Sequence, residues 1–480
     1  MEAGNVIGMI ILFHIFIYIL DKYLKKRNSA IYAGILNTFP IQIEFMNIKW
    51  ATSIFNKALN TWTIQRLPFM YKWYNVGAII TLLLCIPSMI LLASTAIVSV
   101  ENLRQNRKEE AALQPVLPGV NLPKSDLLYY FITLLICTVV HEVGHALAAI
   151  SEQVPLQSIG FIIWLIIPAA FVELPTSNVI TLSPWKQLKI YSAGVWHNVV
   201  LSFIAFLALV LMPYILMPFF QIGGGVYVLD LNEYLTEGYH DFQIGDQITH
   251  TNDCRVTDAG SWNRCLTAIL HEPPSGFCVN RSYLSGIPMG DETVCCHDSE
   301  LSQSHLCFVS LSGSISSNYY CLRAREVSNL SSGWCVNHGN CFTNQSCLVP
   351  AFKNETESSK LILVKRRIAD PILFVGQPDE IYSSVHVSDY IPRTFVGPRI
   401  IHSFDHLLRY LVSFSAGLAV LNVVPCVFMD GQHIASAFSA IIMEGRDNVF
   451  IKRHILRLFV FLGTSLIVVN IACGMLVLLI

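Results

Sequence analysis

His141-Glu142-Val143-Gly144-His145 is the stretch of this 480-residue chain whose residue types and spacing could do chemistry. In a helix, residues four apart share a face, so the two imidazoles can grip one cation together. Glu142 stands beside the first of them and could take a proton from a water on that ion. All five residues lie inside an apolar run from Leu127 to Ile150. That run can cross a bilayer, which needs about 20 apolar residues. Two histidines and a carboxylate are costly at bilayer depth, so the cluster marks a functional site before it marks a packed core.

The elements that must hold this stretch are membrane elements. The chain is 53% hydrophobic and 13% charged, with a mean hydropathy of +0.51. This composition predicts a polytopic α-helical membrane protein of about six spans, not a soluble enzyme with one anchor. The formal net charge is -2, so there is no basic surplus to recruit nucleic acid; the lipid bilayer is the expected surrounding. The first apolar run, Val6 to Leu20, has no small-residue cleavage pattern, and Lys22, Lys25, Lys26 and Arg27 follow it. It reads as a retained span with a cytosolic flank. Further spans are expected at Val76 to Val98, through the HEVGH run, at Ile190 to Phe220, from near His406 to Val424, and from Leu456 to Ile480. Residues 21–75 hold an alternating piece, Ile41 to Phe45, that reads as a strand.

Two segments break the helical pattern. Ile159 to Ala170 is apolar but contains Pro168, with Pro175 and Pro184 after it, and is expected to be a re-entrant strand or hairpin buried against protein. The fifth span meets Pro425, then Met429-Asp430-Gly431, and resumes to about Met443. A helix broken by Pro and Gly exposes backbone groups, and a lone carboxylate at such a point is the pattern of a binding site. Four blocks follow: 1–98, N-terminal spans with a basic, cytosolic segment; 99–222, a catalytic membrane core; 223–399, a large lumenal module; and 400–480, the C-terminal membrane core.

The lumenal assignment rests on cysteines and sequons. Of 14 cysteines, ten fall between Cys254 and Cys347, and the Asn-x-Ser/Thr acceptors Asn280, Asn329, Asn344 and Asn354 cluster in or just after the same region. Together they indicate disulfides in an oxidising compartment. A zinc cluster of Cys335, His338, Cys341 and Cys347 is the competing reading. Strand-like Val226 to Leu231, then Ile244-Gly245-Asp246-Gln247-Ile248, and later Leu361 to Val364 and Val385 to Ile391 give a β-rich, PDZ-like module. The disulfide-rich insertion, about 254–357, interrupts it.

With that module in the lumen, counting spans brings His141, His145 and Asp430 to a similar depth near the cytosolic face. Three such ligands leave a zinc ion one position for water, whose pKa falls to about 7. Glu142 would accept its proton and pass it to the leaving amine. Gly144 leaves room for another backbone. Asn198 and Asn422 are the amides available to a developing oxyanion; a helix-packing bond is the other reading of Asn422. His197 reads as a helix-end residue facing headgroups. Competing functions for the same residues are a metal transporter or sensor and a proteolytically inactive membrane chaperone. A transport site has no use for Glu142, and the intact HExxH argues against inactivity.

HEVGH on one membrane helix, Gly194-x-x-x-Asn198 on the next, and Asn422-x-x-Pro425 with Asp430-Gly431 on a later one resemble the site-2 protease family of intramembrane zinc metalloproteases. The likeness runs over nearly the whole chain, with Met429 where many members have Leu. It implies one catalytic zinc held by His141, His145 and Asp430, with Glu142 as base. It also implies cleavage within the transmembrane helices of tethered transcription factors, among them sterol regulatory element-binding proteins and an ER-stress sensor, after a first lumenal cut. The implied location is the Golgi membrane, reached from the endoplasmic reticulum.

Overall fold

The computed structural model describes residues 2–38, 40–105, 124–165, 167–231, 242–290, 295–296, 305–311, 318–352, 359–393, 397–443 and 449–479. The sequon at Asn354 and most of the polar loop before the HEVGH helix lie outside the described residues. The chain divides into two compact units, Met1–Val210 with Asp405–Ile480, and Leu211–Phe404.

The first unit opens with α1 (Glu2–Lys26) and α2 (Ala30–Thr38), then β1 (Ile41–Glu44), β2 (Asn47–Thr52), α3 (Asn56–Gln65) and the long α4 (Leu67–Gln105). The HEVGH stretch lies on α5 (Leu127–Ser151). After it come β3 (Ser158–Trp164), β4 (Ile167–Glu173), the short α6 (Thr176–Ile180) and α7 (Pro184–Leu216). The expected hairpin is therefore present as β3 and β4, and it is part of a larger element. β1 and β2 join it in an antiparallel sheet of order β1-β2-β3-β4. Its register pairs Ala51 with Gly160. Glycine is required there, because a Cβ on residue 160 would lie 1.9 Å from the Trp50 carbonyl oxygen. Lys49 and Ser158 both reach the Glu173 carboxylate across the sheet. The end of α5 is pinned to α7 by Glu152 and Lys189, an ion pair with both members nearly fully buried.

The second unit holds two large sheets and a short two-stranded one. The chain enters it through β5 (Phe220–Gln221), β6 (Val226–Leu231), β7 (Gln247–Thr251), β8 (Cys254–Arg255) and α8 (Ala259–His271). Next come β9 (Gly276–Asn280), α9 (Arg281–Leu284), β10 (Leu306–Leu311), β11 (Asn318–Leu322), α10 (Ala324–Leu330), β12 (Trp334–Cys335) and β13 (Gln345–Pro350). It closes with β14 (Lys360–Arg366), β15 (Ile372–Gly376), α11 (Pro378–Ser384), β16 (Val385–Ser388) and β17 (Ile391–Pro392). One sheet has the order β15-β14-β7-β6-β16, with β8 added to β7; the other runs β11-β10-β13-β9-β12. Alternating apolar residues give each its own core, Val228, Ile248, Ile362 and Phe374 in the first and Phe277, Phe308 and Leu348 in the second. Lys360 donates to the carbonyls of Ile269, Leu270 and Glu272, which satisfies the open end of α8.

All ten clustered cysteines pair: Cys254–Cys265, Cys278–Cys341, Cys295–Cys307, Cys296–Cys321 and Cys335–Cys347. Cys335, Cys341 and Cys347 are thus in disulfides and do not form the alternative zinc cluster. The boundary expected at residue 254 also shifts. Val256, Trp262, Cys265 and Leu266 pack into the first sheet's core, and the second sheet begins only at β9. Asn280, Asn329 and Asn344 are all exposed.

The chain returns to the first unit along α12 (Pro398–Val423), followed by α13 (Asp430–Ile442) and α14 (Val449–Leu479). The fifth span is thus broken between Val423 and Asp430. Among the described residues, five helices are long and apolar enough to cross a membrane: α4, α5, α7, α12 and α14. The first of the six expected spans falls on α1, outside those five. There His14 Nε2–H donates to the Leu165 carbonyl oxygen at 2.7 Å, and Asp21 accepts from the Tyr32 hydroxyl.

Candidate metal centre

His141 and His145 project from the same face of α5 and are both buried, 6% and 8% exposed. Asp430 is the first residue of α13, placed by the break after α12. The turn that delivers it depends on close backbone packing. A Cβ on Gly431 would lie 2.0 Å from the Val424 carbonyl oxygen, and one on Gly463 of α14 2.1 Å from that of Pro425. Asp430 Oδ2 then sits 2.9 Å from His141 Nε2 and 3.2 Å from His145 Nε2. The two Nε2 atoms are 3.2 Å apart. The structure therefore brings together the three residues that the sequence singled out as ligands.

This triangle fits zinc. Ligand atoms about 2.0–2.2 Å from a tetrahedral ion lie roughly 3.3–3.5 Å from one another, close to the three separations observed. Two imidazoles and a carboxylate are the donor set of a catalytic site with one open position. The backbone also leaves space for an ion. A Cβ on Gly194 of α7 would stand 2.4 Å from His145 Nε2 and 2.5 Å from His141 Nε2, so any side chain there would fill the ligand triangle. Gly144 serves the packing of α5 on α7, where a Cβ would lie 2.7 Å from the Ala193 carbonyl oxygen.

The outer edge of each histidine ring meets α7. His145 Nδ1 lies 2.8 Å from the Ile190 carbonyl oxygen, and His141 Nδ1 lies 3.2 Å from Asn198 Nδ2. Asn198 is 0% exposed. An amide enclosed behind the ring cannot reach a substrate carbonyl, so the oxyanion role expected of Asn198 does not fit its position. Asn422 is half-buried near the end of α12, two residues before Val424. His197 also departs from expectation. It lies inside α7 and packs on protein, with its ring stacked on Tyr74 and its Nε2 accepting from Trp73 Nε1 at 3.4 Å.

Glu142 points away from α7 toward the sheet. Its Oε2 accepts from the backbone N–H of Val172 on β4 at 3.0 Å, and one turn earlier Thr138 accepts from Ala170 N–H at 3.3 Å. β4 is an edge strand, so α5 satisfies two amides that the sheet leaves open. Beside Glu142 lies a cavity of about 260 Å³ between α5, α3 and the sheet, lined by Trp50, Phe55, Phe161 and Phe171 among others. Among the described residues, Glu142 is the one charged side chain on its wall. Sequence reasoning missed Ile190, Thr138 and Val172. The first and last act through backbone atoms, which carry no sequence signal. Thr138 stands four before Glu142 and was recognisable only as a polar residue on the same face.

A ligand triangle of two histidines and an aspartate, with a glutamate beside it on a bilayer-length helix, defines a membrane metallopeptidase. Residues 129–466 match Peptidase family M50, and the chain belongs to that family. It is also 26% identical, over 66% of its length and 71% of the relative's, to the membrane-bound transcription factor site-2 protease homolog of Arabidopsis thaliana.

Proposed function

We propose that this protein is a zinc endopeptidase that hydrolyses a peptide bond within the membrane-spanning helix of tethered transcription factors, releasing their cytosolic domain. The observation that carries the reading is the His141, His145 and Asp430 triangle next to Glu142. When bound there, zinc supplies the Lewis acidity that makes water a nucleophile near neutral pH. Glu142 takes the proton from that water and returns it to the leaving amine. The apolar cavity beside Glu142 accepts an unwound apolar segment of substrate and keeps bulk water away. Asn422 is the remaining amide for the developing oxyanion. The substrate class follows the wording of the Arabidopsis relative and the motif resemblance. The clients we assign are sterol regulatory element-binding proteins and an ER-stress sensor, each already cut on its lumenal side, in the Golgi membrane. The Leu211–Phe404 unit is then the lumenal, PDZ-like module with its disulfide-rich insertion, and Asn280, Asn329, Asn344 and Asn354 are its glycan acceptors.

The test is release of a membrane-tethered reporter, pre-trimmed on its lumenal side, in cells lacking the endogenous enzyme. Wild type should release it and Glu142→Gln should not, with both variants folded and zinc-loaded. Equal release by the two would remove Glu142 from the chemistry. Release by neither, repeated with a second client, would favour metal transport or chaperoning.

A further inference from the structure

Three residues of α7 spaced four apart, Ile190, Gly194 and Asn198, present one helical face to the two histidines of α5. Ile190 offers its carbonyl to His145 Nδ1 at 2.8 Å. Gly194 abuts both Nε2 atoms. Asn198 meets His141 Nδ1 at 3.2 Å. The two helices run antiparallel, so each histidine has its own anchor on α7.

The two anchors differ in chemistry. A carbonyl only accepts, so His145 must carry its proton on Nδ1, which leaves the Nε2 lone pair for a cation. The Asn198 amide as oriented donates to His141 Nδ1. That places the His141 proton on Nε2, where it can be donated to Asp430 Oδ2 at 2.9 Å. In the metal-holding form His141 Nε2 must be free and Nδ1 must donate. Two donors would then face each other. The Asn198 Oδ1 atom, buried and without a hydrogen-bond partner, is the group that resolves this. Nitrogen and oxygen of an amide exchange places by a half-turn of the side chain. After that turn Oδ1 accepts from His141 Nδ1–H.

We propose that Asn198 is a positioning residue for the metal. Its amide oxygen fixes the His141 tautomer that can ligate zinc, as the Ile190 carbonyl does for His145. This inference rests on the zinc reading of the triangle. The residue's fixed place on α7 supplies the acceptor, and no contact with substrate is involved.

The experiment compares full-length wild type, Asn198→Leu and Asn198→Asp, purified in detergent. Zinc affinity is read by chelator competition and metal analysis, and site geometry by the visible spectrum of the cobalt-loaded proteins. Unfolding of the metal-free forms monitors folding. Leucine keeps the volume and removes the acceptor; aspartate keeps an oxygen acceptor. Leucine should weaken zinc binding about ten- to a hundredfold, the usual cost of an outer-shell partner, and shift the cobalt bands. Aspartate should hold zinc and keep the bands. Equal zinc affinity in wild type and Asn198→Leu would overturn the proposal, as would equal losses in both variants with intact metal-free folds. Should leucine prevent folding, aspartate decides: a tenfold loss there overturns the assignment and retention supports it. Failure of the wild type itself to bind zinc is a separate result, which defeats the metallopeptidase reading.

Discussion

Glu142 Oε2 and the backbone N–H of Val172 are hydrogen-bonded at 3.0 Å, which ties the HEVGH helix to the edge strand of the membrane-unit sheet. The same carboxylate thus has a structural partner as well as its proposed proton-transfer role. Two substitutions separate these. Glu142→Gln keeps an oxygen for Val172 N–H, whereas Glu142→Ala leaves that donor unpaired, at a cost of about 1–3 kcal/mol. Both should lose cleavage by about 10²–10⁴, but only alanine should lower the unfolding temperature of the metal-free protein. Equal stabilities would mean the bond to β4 contributes nothing.

Asp430 is held at the start of α13 by the Gly431 turn, with Oδ2 within 3.2 Å of both imidazoles. Asp430→Asn keeps the volume and removes the charge. Zinc content of the purified variant should fall at least tenfold, since loss of even an outer-shell partner reaches that size. Full retention of zinc would exclude Asp430 from the ligand set.

Gly194→Ala is predicted to abolish zinc binding without unfolding the membrane unit, because the added methyl would enter the ligand triangle. The control is Gly417→Ala on α12, where a Cβ meets nothing within 4 Å. That change should leave zinc content unaltered and cost no stability, alanine being the better helix former by roughly 0.5–1 kcal/mol. Metal analysis of the two proteins side by side is the measurement.

Asp258 caps α8, accepting from Ser261 N–H at 2.7 Å. The backbone N–H of Ser261, with help from the Thr257 hydroxyl, holds the Asp258 carboxyl below the usual carboxylate range. A pKa lowered on folding gives stability that is present above the unfolded value, about 3.9, and is lost as pH falls through the folded one. The second unit should therefore weaken as pH drops below about 4, and Asp258→Asn should flatten part of that acid limb. Acid titration of its disulfide-intact unfolding, wild type against variant, checks this. Superimposed curves would mean the cap carries no linkage.

The clustering of His141, His145 and Asp430 was legible because i, i+4 histidines on an apolar helix and a carboxylate at a Pro/Gly break are both local patterns. The β3–β4 hairpin was legible from Pro168 and its flanks. Its pairing with β2 was not, since Trp50 and Phe161 are far apart in sequence and nothing near either records the register. Asn198 shows the limit most clearly. The spacing from Gly194 places it on the right face of α7. Which edge of the His141 ring it meets depends on how α7 packs on α5, and that is set by Gly144 and Ala193. Disulfide pairing was closed to sequence for a similar reason: Cys278 and Cys347 face each other across β9 and β13, yet each bonds elsewhere.

The disulfides fall entirely in one unit. All five lie between Cys254 and Cys347, while the four unpaired cysteines, Cys85, Cys137, Cys426 and Cys473, belong to the membrane unit. The two halves of the molecule therefore make opposite demands on a production host. Expression with that unit in a reducing bacterial cytosol would leave it without its cross-links, and a strongly oxidising refolding step would expose the four unpaired thiols to non-native pairing. With the Leu211–Phe404 unit on the lumenal side, as proposed, a eukaryotic secretory membrane would meet both demands during one round of synthesis, which makes the choice of host a test of that placement.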